Sequence, residues 1–201
     1  MTDTHHCGAV LLAGGRSRRM GRDKAELTIG GEPMLIRLSF QLAAFDERLL
    51  SVASDSIQSL PGFRTVRDQY PGAGPMAGLH AALTATAAEA LLTVPCDLPN
   101  FTAEAAQVLL SAFPPEADAM VCRDSTGRLH PLSGIYSRRC LPVMERNLSA
   151  GHYQMRDLLR SINCAVLDTA PLLPDETFFT MNTPADYQKI QDLGLDMVGD
   201  C

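Results

Sequence analysis

The segment from Gly8 to Ala13 (GAVLLA) has no polar side chain, and it ends in Gly14-Gly15. A strand with one wet face alternates apolar and polar residues. An uninterrupted apolar run closed by glycines suits a strand covered on both faces. Such strands lie in the middle of largely parallel sheets, because the crossover connections lay helices over both sides. This one run directs the chain toward a layered α/β fold.

The remaining pattern agrees with that frame. Strands are predicted over Leu49 to Ser54, Arg64 to Arg67, Ala90 to Val94 (stopped by Pro95), Ala117 to Cys122, Leu132 to Tyr136 and Ala165 to Leu167. Helices are predicted over Pro33 to Ala44, with apolar spacing at Leu35, Leu38, Leu42 and Phe45, and over the alanine-rich Pro75 to Ala88. Thr102 caps a helix that carries Glu104 in its first turn and runs to about Ala112. Further helices are expected around Arg138 to Leu148, Gln154 to Ile162 and Pro184 to Leu193, and a turn at Asp124 to Gly127. Strands alternating with helices imply a largely parallel sheet whose ligands bind outside the carboxyl ends of the strands. The expected organisation is a single domain over residues 1–193 with a disordered tail over 194–201.

With 201 residues, such a domain buries roughly 70% of the surface of its unfolded chain and needs no disulfide or structural metal. Tryptophan is absent and aromatics make up 5%, so the core must be aliphatic. The net charge of -6 argues against nucleic acid as a partner. Within this acidic chain, Arg16, Arg18, Arg19, Arg22 and Lys24 crowd into one short stretch, which suits a small anionic ligand. The six cysteines form no CxxC pair and suggest no zinc site; Cys122 and Cys164 read as small core residues. His5, His6 and Cys7 read as a frayed N-terminus, with adventitious metal binding as the alternative. No apolar run approaches the ~20 residues of a membrane span, and no signal-peptide pattern is present. The expectation is a reduced, cytoplasmic setting away from membranes.

The stretch Leu11 to Lys24 (LLAGGRSRRMGRDK) carries the chemistry. Glycines directly after a buried strand let backbone N–H groups approach a phosphate, and the basic side chains add charge-assisted hydrogen bonds. It is neither a Rossmann GxGxxG nor a Walker GxxxxGK[ST] loop: Gly15 and Gly21 enclose five residues, and Ala25 follows Lys24. The competing reading is an exposed basic turn.

The pattern LAGGxSxRMGxDK resembles the signature of the molybdenum cofactor guanylyltransferase family, within the wider α/β nucleotidyltransferases. Four further segments fall where that family would have them: Gly74 to Gly78 (GPMAG), Pro95 to Pro99 (PCDLP), His130-Pro131, and Met181 to Asp186 (MNTPAD). The resemblance covers the chain from about Gly8 to Tyr187. It implies a Rossmann-like three-layer nucleotidyltransferase fold with a largely parallel central sheet. It also implies transfer of GMP from GTP to molybdopterin carrying molybdenum, with Mg2+ as cofactor, and transient contact with cofactor-carrier or molybdoenzyme-maturation proteins.

By the same resemblance, Leu12, Ala13 and Gly14 would hold the nucleoside through the backbone. Gly15 stands where related cytidylyltransferases carry alanine and leaves room for a purine. Arg19 and Lys24 would contact the triphosphate, Asp68 the base or ribose, and Asp97 the magnesium. The chain departs from the family at two places. Where an asparagine often follows the second strand it reads Val52-Ala53-Ser54-Asp55, and where N-x-N-T-P is common it reads Thr180-Met181-Asn182.

Each candidate has a plainer alternative. Asp97, after a buried strand, is a magnesium ligand or a turn aspartate. Asp68, before a glycine- and proline-rich stretch, touches a ligand or marks a tight turn. Asn182 is a second metal ligand or caps the helix opened by Pro184, with Thr183 competing for that cap. His130 lines the acceptor side or is structural. Arg156 and Arg160 face an anionic acceptor or lie on a solvated helix face. Rival functions are a related transferase using CTP or a sugar-phosphate acceptor, and a non-catalytic nucleotide-binding regulator.

Overall fold

The computed structural model describes residues 7–13, 28–52 and 59–194. Gly14, Gly15, Arg19, Lys24 and the departure after Val52 lie outside the described residues. In chain order the elements are β1 (Cys7–Leu12), β2 (Thr28–Ile29), β3 (Glu32–Pro33), α1 (Met34–Gln41), β4 (Arg48–Val52), β5 (Arg64–Arg67), α2 (Pro75–Ala85) and β6 (Ala90–Pro95). They continue with α3 (Ala103–Ala112), β7 (Ala119–Arg123), β8 (Leu129–Ser137), α4 (Leu141–Ser149), α5 (Met155–Arg160), β9 (Cys164–Asp168) and α6 (Pro184–Gly194).

A seven-stranded sheet has the order β5-β4-β1-β6-β8-β7-β9. β1, the apolar run, pairs in parallel with β4 and β6, and β4 with β5. β8 runs against both its neighbours β6 and β7, and β9 is parallel to β7. The sheet is therefore largely parallel, as expected. Residues alternate between two apolar layers. Ala9, Leu11, Leu92, Val94, Met120 and Ile135 face a core shared with α1, α3 and α6. Val10, Leu12, Leu91, Val121 and Tyr136 face a second core with α2, α4 and α5. Period-2 alternation within runs that are largely apolar gives both faces a core, hence three layers.

Several boundaries differ from the sequence reading. α1 stops at Gln41, three residues before Ala44, yet Leu42 and Phe45 remain buried because tight turns (Leu42 N to Ser39 O, Phe45 N to Leu42 O) carry them down onto the sheet. Pro95 does not stop β6; it is the strand's last residue, opposite Leu12. β8 begins at Leu129 rather than Leu132. Val121 faces Gly134 while the next residue, Cys122, faces His130, so Pro131, Leu132 and Ser133 bulge from the register. A bulge is where a strand accepts a proline, which cannot donate to the ladder. Cys122 is fully buried, whereas Cys164 on the edge strand is half-buried. Cys7 belongs to β1 rather than to a frayed end, and Gly194 is part of α6, while His5, His6 and residues 195–201 lie outside the described residues. The β2–β3 hairpin, which the sequence reading passed over, turns on Gly30 and Gly31 with φ of 58° and 83°. Positive φ at both central residues is what a tight two-residue hairpin requires. Among the described residues no helix is long and apolar enough to cross a membrane.

Candidate active site

The strand directions bring the ends of β1, β4, β5, β6, β7 and β9 to one edge of the sheet, together with the start of β8. Leu12 and Ala13 leave β1 in the middle of that edge. The Leu12 carbonyl accepts from Cys96 N (3.1 Å), and Ala13 N donates to Ser51 O (2.9 Å). Those two groups are paired inside the sheet.

Asp68 directly follows β5, and its N–H reaches Val52 O (3.4 Å). Its half-buried carboxylate accepts from Ser51 Oγ at 3.5 Å. Burial pushes the Asp68 carboxyl up to about 6, and the Ser51 hydroxyl offsets only part of that. Gly78, the last residue of the GPMAG segment, explains how the two groups fit beneath α2. A Cβ there would lie 2.5 Å from Ser51 Oγ and 3.3 Å from Asp68 Oδ1. Gly74, the first residue of that segment, opens the helix at φ 70°, ψ -154°, a region essentially confined to glycine. The motif thus turns the chain sharply and then lets the helix start press against the Ser51–Asp68 pair.

Asp97 follows β6, on the other side of β1 from Asp68, and is half-buried. Its carbonyl accepts from Met181 N at 2.9 Å, which fastens the C-terminal segment to the end of β6. Asn182 therefore follows a residue bonded to the Asp97 main chain, which brings the backbones of these two sequence candidates to the same corner. Asn182 is not the helix cap: Thr183 Oγ1 accepts from Asp186 N (3.1 Å), and Asp186 accepts from the amides of Thr183 (2.8 Å) and Asn182 (3.0 Å). This capping box satisfies the helix start reciprocally. The Asn182 amide nitrogen donates to Thr180 Oγ1 at 3.0 Å, so the threonine that replaces the family's first asparagine orients the second.

Beyond that corner a cleft of about 490 Å³ lies between the β7–β8 hairpin and the segment from Asp175 to Lys189. His130 lines it but is held from behind. Hydrogen bonds from Thr126 above all, then from His130 and the amides of Arg128 and Thr126, keep the Asp124 carboxyl well below the usual carboxylate range against the opposing effect of burial. An ionised carboxylate only accepts, so the His130 ring donates from Nε2 to Asp124 Oδ2 (2.8 Å). Its other contact is the Phe178 ring, with centroids 5.2 Å apart. His130 thus lines the cleft and is structural at once, and the β8 bulge is what aims it there. The hairpin tip is clasped to the C-terminal segment by Asp175, which accepts from Ser125 N (3.1 Å) and Ser125 Oγ. Arg156 and Arg160 are exposed on α5, a short helix packed on the opposite face of the sheet from α6.

Sequence reasoning missed Ser51, Asp175 and Phe178. The turn at Asp124 was legible, but its bond to His130 was not, because it depends on the β8 bulge.

The sequence matches the MobA-like NTP transferase domain family over residues 9–166. A "Probable molybdenum cofactor guanylyltransferase" of Pelotomaculum thermopropionicum is 36% identical over 185 residues, covering 90% of this chain and 89% of the relative. A molybdenum cofactor guanylyltransferase of Rhizobium johnstonii is 34% identical over 196 residues, covering 92% and 91%. The crystal structure of molybdopterin-guanine dinucleotide biosynthesis protein A from Archaeoglobus fulgidus shares the fold, with a TM-score of 0.82 at 20% identity over 94% of this chain and 100% of that one. With its three-layer α/β fold and its acidic groups set around the end of β1, the chain is a nucleotidyltransferase that belongs to the molybdenum cofactor guanylyltransferase family of MobA-like NTP transferases.

Proposed function

We propose that the protein transfers GMP from GTP to molybdopterin carrying molybdenum, releasing pyrophosphate and forming the guanine dinucleotide cofactor. The observation that carries this reading is the placement of Asp68 and Asp97 on either side of the end of β1, the strand that leads into the glycine- and arginine-rich loop. Three strand spacings, roughly 14 Å, separate the β5 and β6 positions. That span suits a nucleotide lying across the strand ends, with its ribose or base toward Asp68 and its α-phosphate toward Asp97. Gly14, Gly15, Arg19 and Lys24 then hold and offset the charge of the triphosphate.

The Asp97–Asn182 corner fits a magnesium ion. It offers a carboxylate and an amide, both hard oxygen donors, and the main chain of Asp97 is held by the bond its carbonyl accepts from Met181 N. Among the described residues no three His, Cys, Asp or Glu side chains gather into a metal cage. Magnesium needs none, since it keeps waters and takes substrate phosphate oxygens. When bound, the ion supplies Lewis-acid polarisation of the α-phosphate. A phosphate oxygen of the acceptor forms the new bond to the α-phosphorus, and the bond from that phosphorus to the pyrophosphate oxygen breaks. The attacking monoester is already an anion, so no protein nucleophile is required. Arg19 and Lys24 offset charge on the leaving pyrophosphate, and catalysis is positioning plus charge stabilisation.

The test is pyrophosphate release with molybdate-loaded molybdopterin and each of GTP, CTP, ATP and UTP, together with Asp97→Asn. The wild type is expected to use GTP. Asp97→Asn is expected to lose magnesium-dependent turnover while still binding GTP by calorimetry. Normal turnover of Asp97→Asn at ordinary magnesium, or equal use of CTP, would overturn the reading.

A further inference from the structure

Helix α6 stands between two parts of the site. The segment that opens it is fastened to the end of β6, where Met181 N donates to Asp97 O (2.9 Å). The capping box of Thr183 and Asp186 then fixes the turn that carries Asn182. Further along the same helix, Tyr187 reaches β2, and its hydroxyl donates to the Thr28 carbonyl at 2.7 Å. Gln191, four residues on and so on the same face of α6, donates from Nε2 to the Tyr187 hydroxyl (2.7 Å) and at longer range to the same carbonyl (3.4 Å). Both side chains are half-buried. The Thr28 carbonyl finds no donor in the residue opposite it, because that residue is Pro33, which has no N–H. The β2–β3 hairpin has two residues in each strand and forms a sheet apart from the seven-stranded one. A ribbon so short does not hold its own position in water. Ile29 packs into the same core as Ile190 of α6, and the Tyr187 hydroxyl adds the directional bond.

We infer that Tyr187 is a positioning residue for the transfer reaction: through α6 it ties the chain leaving the glycine- and arginine-rich loop to the Asp97–Asn182 corner. The inference rests on the reading given under Proposed function, in which Lys24 meets the triphosphate and Asp97 the magnesium. Thr28 follows Lys24 by four residues. Four residues of chain reach at most about 14 Å, so the place where Thr28 is held limits where Lys24 can act. The Tyr187 hydroxyl holds that place, and the Met181–Asp97 bond holds the other end of the same rigid element. Tyr187 touches no reacting atom. Its effect is on the spacing between the cation that meets the leaving phosphates and the carboxylate that meets the metal. Gln191 keeps the phenol hydroxyl turned toward Thr28, since it donates to the oxygen and leaves the hydroxyl proton for the carbonyl.

The experiment uses the full-length protein with magnesium and measures kcat, KM for GTP, and calorimetric affinity for GTP and for guanosine. Tyr187→Phe keeps the ring and removes the bond to Thr28. Gln191→Leu removes only the support of that bond. Gln188→Ala cuts a bond within α6 at its exposed face (Gln188 Nε2 to Asp192 Oδ1, 2.9 Å) and is the control for helix stability alone. Tyr187→Phe is expected to lower kcat by about tenfold or more, because small misplacements far from the chemistry are costly. Its GTP affinity should fall, while guanosine affinity stays within about twofold of wild type, since guanosine has no phosphates to misplace. Gln191→Leu should show a smaller loss of the same kind, and Gln188→Ala none. In a Lys24→Ala background, Tyr187→Phe should change GTP affinity by no more than about twofold, because the group whose place it fixes is gone. A wild-type kcat in Tyr187→Phe, an equal loss for guanosine, or a full loss of GTP affinity in the Lys24→Ala background would overturn the role of Tyr187. The reaction itself is judged on the wild type: turnover of CTP in place of GTP overturns that reading. The same cycle is then run with CTP and cytidine, where coupling between Tyr187 and Lys24 supports the positioning role and independent losses overturn it.

Discussion

The Asp68 carboxyl, raised to about 6 by burial, carries a cost in the free protein. A group whose folded pKa lies above its unfolded value of about 3.9 contributes stability that is fully present below the unfolded pKa and is lost as pH rises through about 6. Above that pH the free protein holds an ionised carboxylate that burial disfavours. Asp68→Asn is therefore expected to stabilise the free protein at pH 8. A shift of about two units corresponds to ~2.7 kcal/mol, which solvent screening at a half-buried site reduces to roughly 1–2 kcal/mol. For a chain of this size that is a rise of about 2–8 °C in melting temperature. The gain should vanish near pH 4, and nucleotide binding should weaken at both pH values. Thermal melts at the two pH values check this: an equal gain at both would mean that the charge of Asp68 is not the cause. Destabilised groups of this kind cluster at functional sites.

At the scale of elements, two contacts decide how α2 sits on the sheet. At its start, Gly78 leaves no space for a methyl beside Ser51 Oγ, which would lie 2.5 Å from it. Gly78→Ala is expected to cost about 1–3 kcal/mol by displacing the buried Ser51 hydroxyl. Ser51→Ala removes the atom in the way, so the double variant should lose less than the sum of the two single variants. Additive losses in denaturant titrations would show that the helix moves instead. At the other end of α2, Glu47 gathers the Thr86 hydroxyl, the amides of Ala87 (3.0 Å) and Ala88 (3.1 Å), and Arg64 (2.7 Å). Burial alone would raise the Glu47 carboxyl, but the bonds from Thr86, Arg64, Ala88 and Ala87 together hold it below its usual value. A depressed pKa contributes stability that is present above the unfolded value of about 4.3 and is lost as pH falls through the folded pKa. Glu47→Gln should cost about 1–3 kcal/mol at pH 7 and progressively less below pH 4, read from denaturant midpoints. A loss that does not depend on pH would mean that shape, not charge, holds the end of α2.

At the scale of the whole molecule, a net charge of -6 is set against the proposed binding of a highly charged anion. In that proposal the basic stretch from Arg16 to Lys24 supplies the opposite charge. Screening lengths fall from about 10 Å at 0.1 M salt to about 3 Å at 1 M, so GTP affinity should drop several-fold across that range while guanosine affinity changes little. Equal salt dependence would mean that the loop does not bind the phosphates. The edges of the sheet are also managed at this scale. β5 is four residues long with Arg64 and Arg67 at its ends, and β9 ends in the Arg123–Asp168 ion pair. Short, charged edges discourage pairing with other chains.

The sequence alone determined the layering. The run Gly8 to Ala13 is apolar at every position and Ala90 to Val94 at every position but Thr93, so no wet face can be built from them. It also marked Asp68 and Asp97, because acids placed directly after parallel strands reach the carboxyl edge whatever the strand order, whereas Asn182 was marked only by the resemblance of its motif. Only the tertiary structure decided that order, which puts Asp68 and Asp97 on opposite sides of β1 and turns β8 against its neighbours. Strand pairing is a contest among similar apolar runs, and no local pattern names the winner. The Met181–Asp97 bond, the Ser51–Asp68 contact under Gly78 and the Asp124–His130–Phe178 stack belong to the same class. Each joins residues far apart in the chain, or across a bulge, whose meeting depends on packing that the linear sequence does not display.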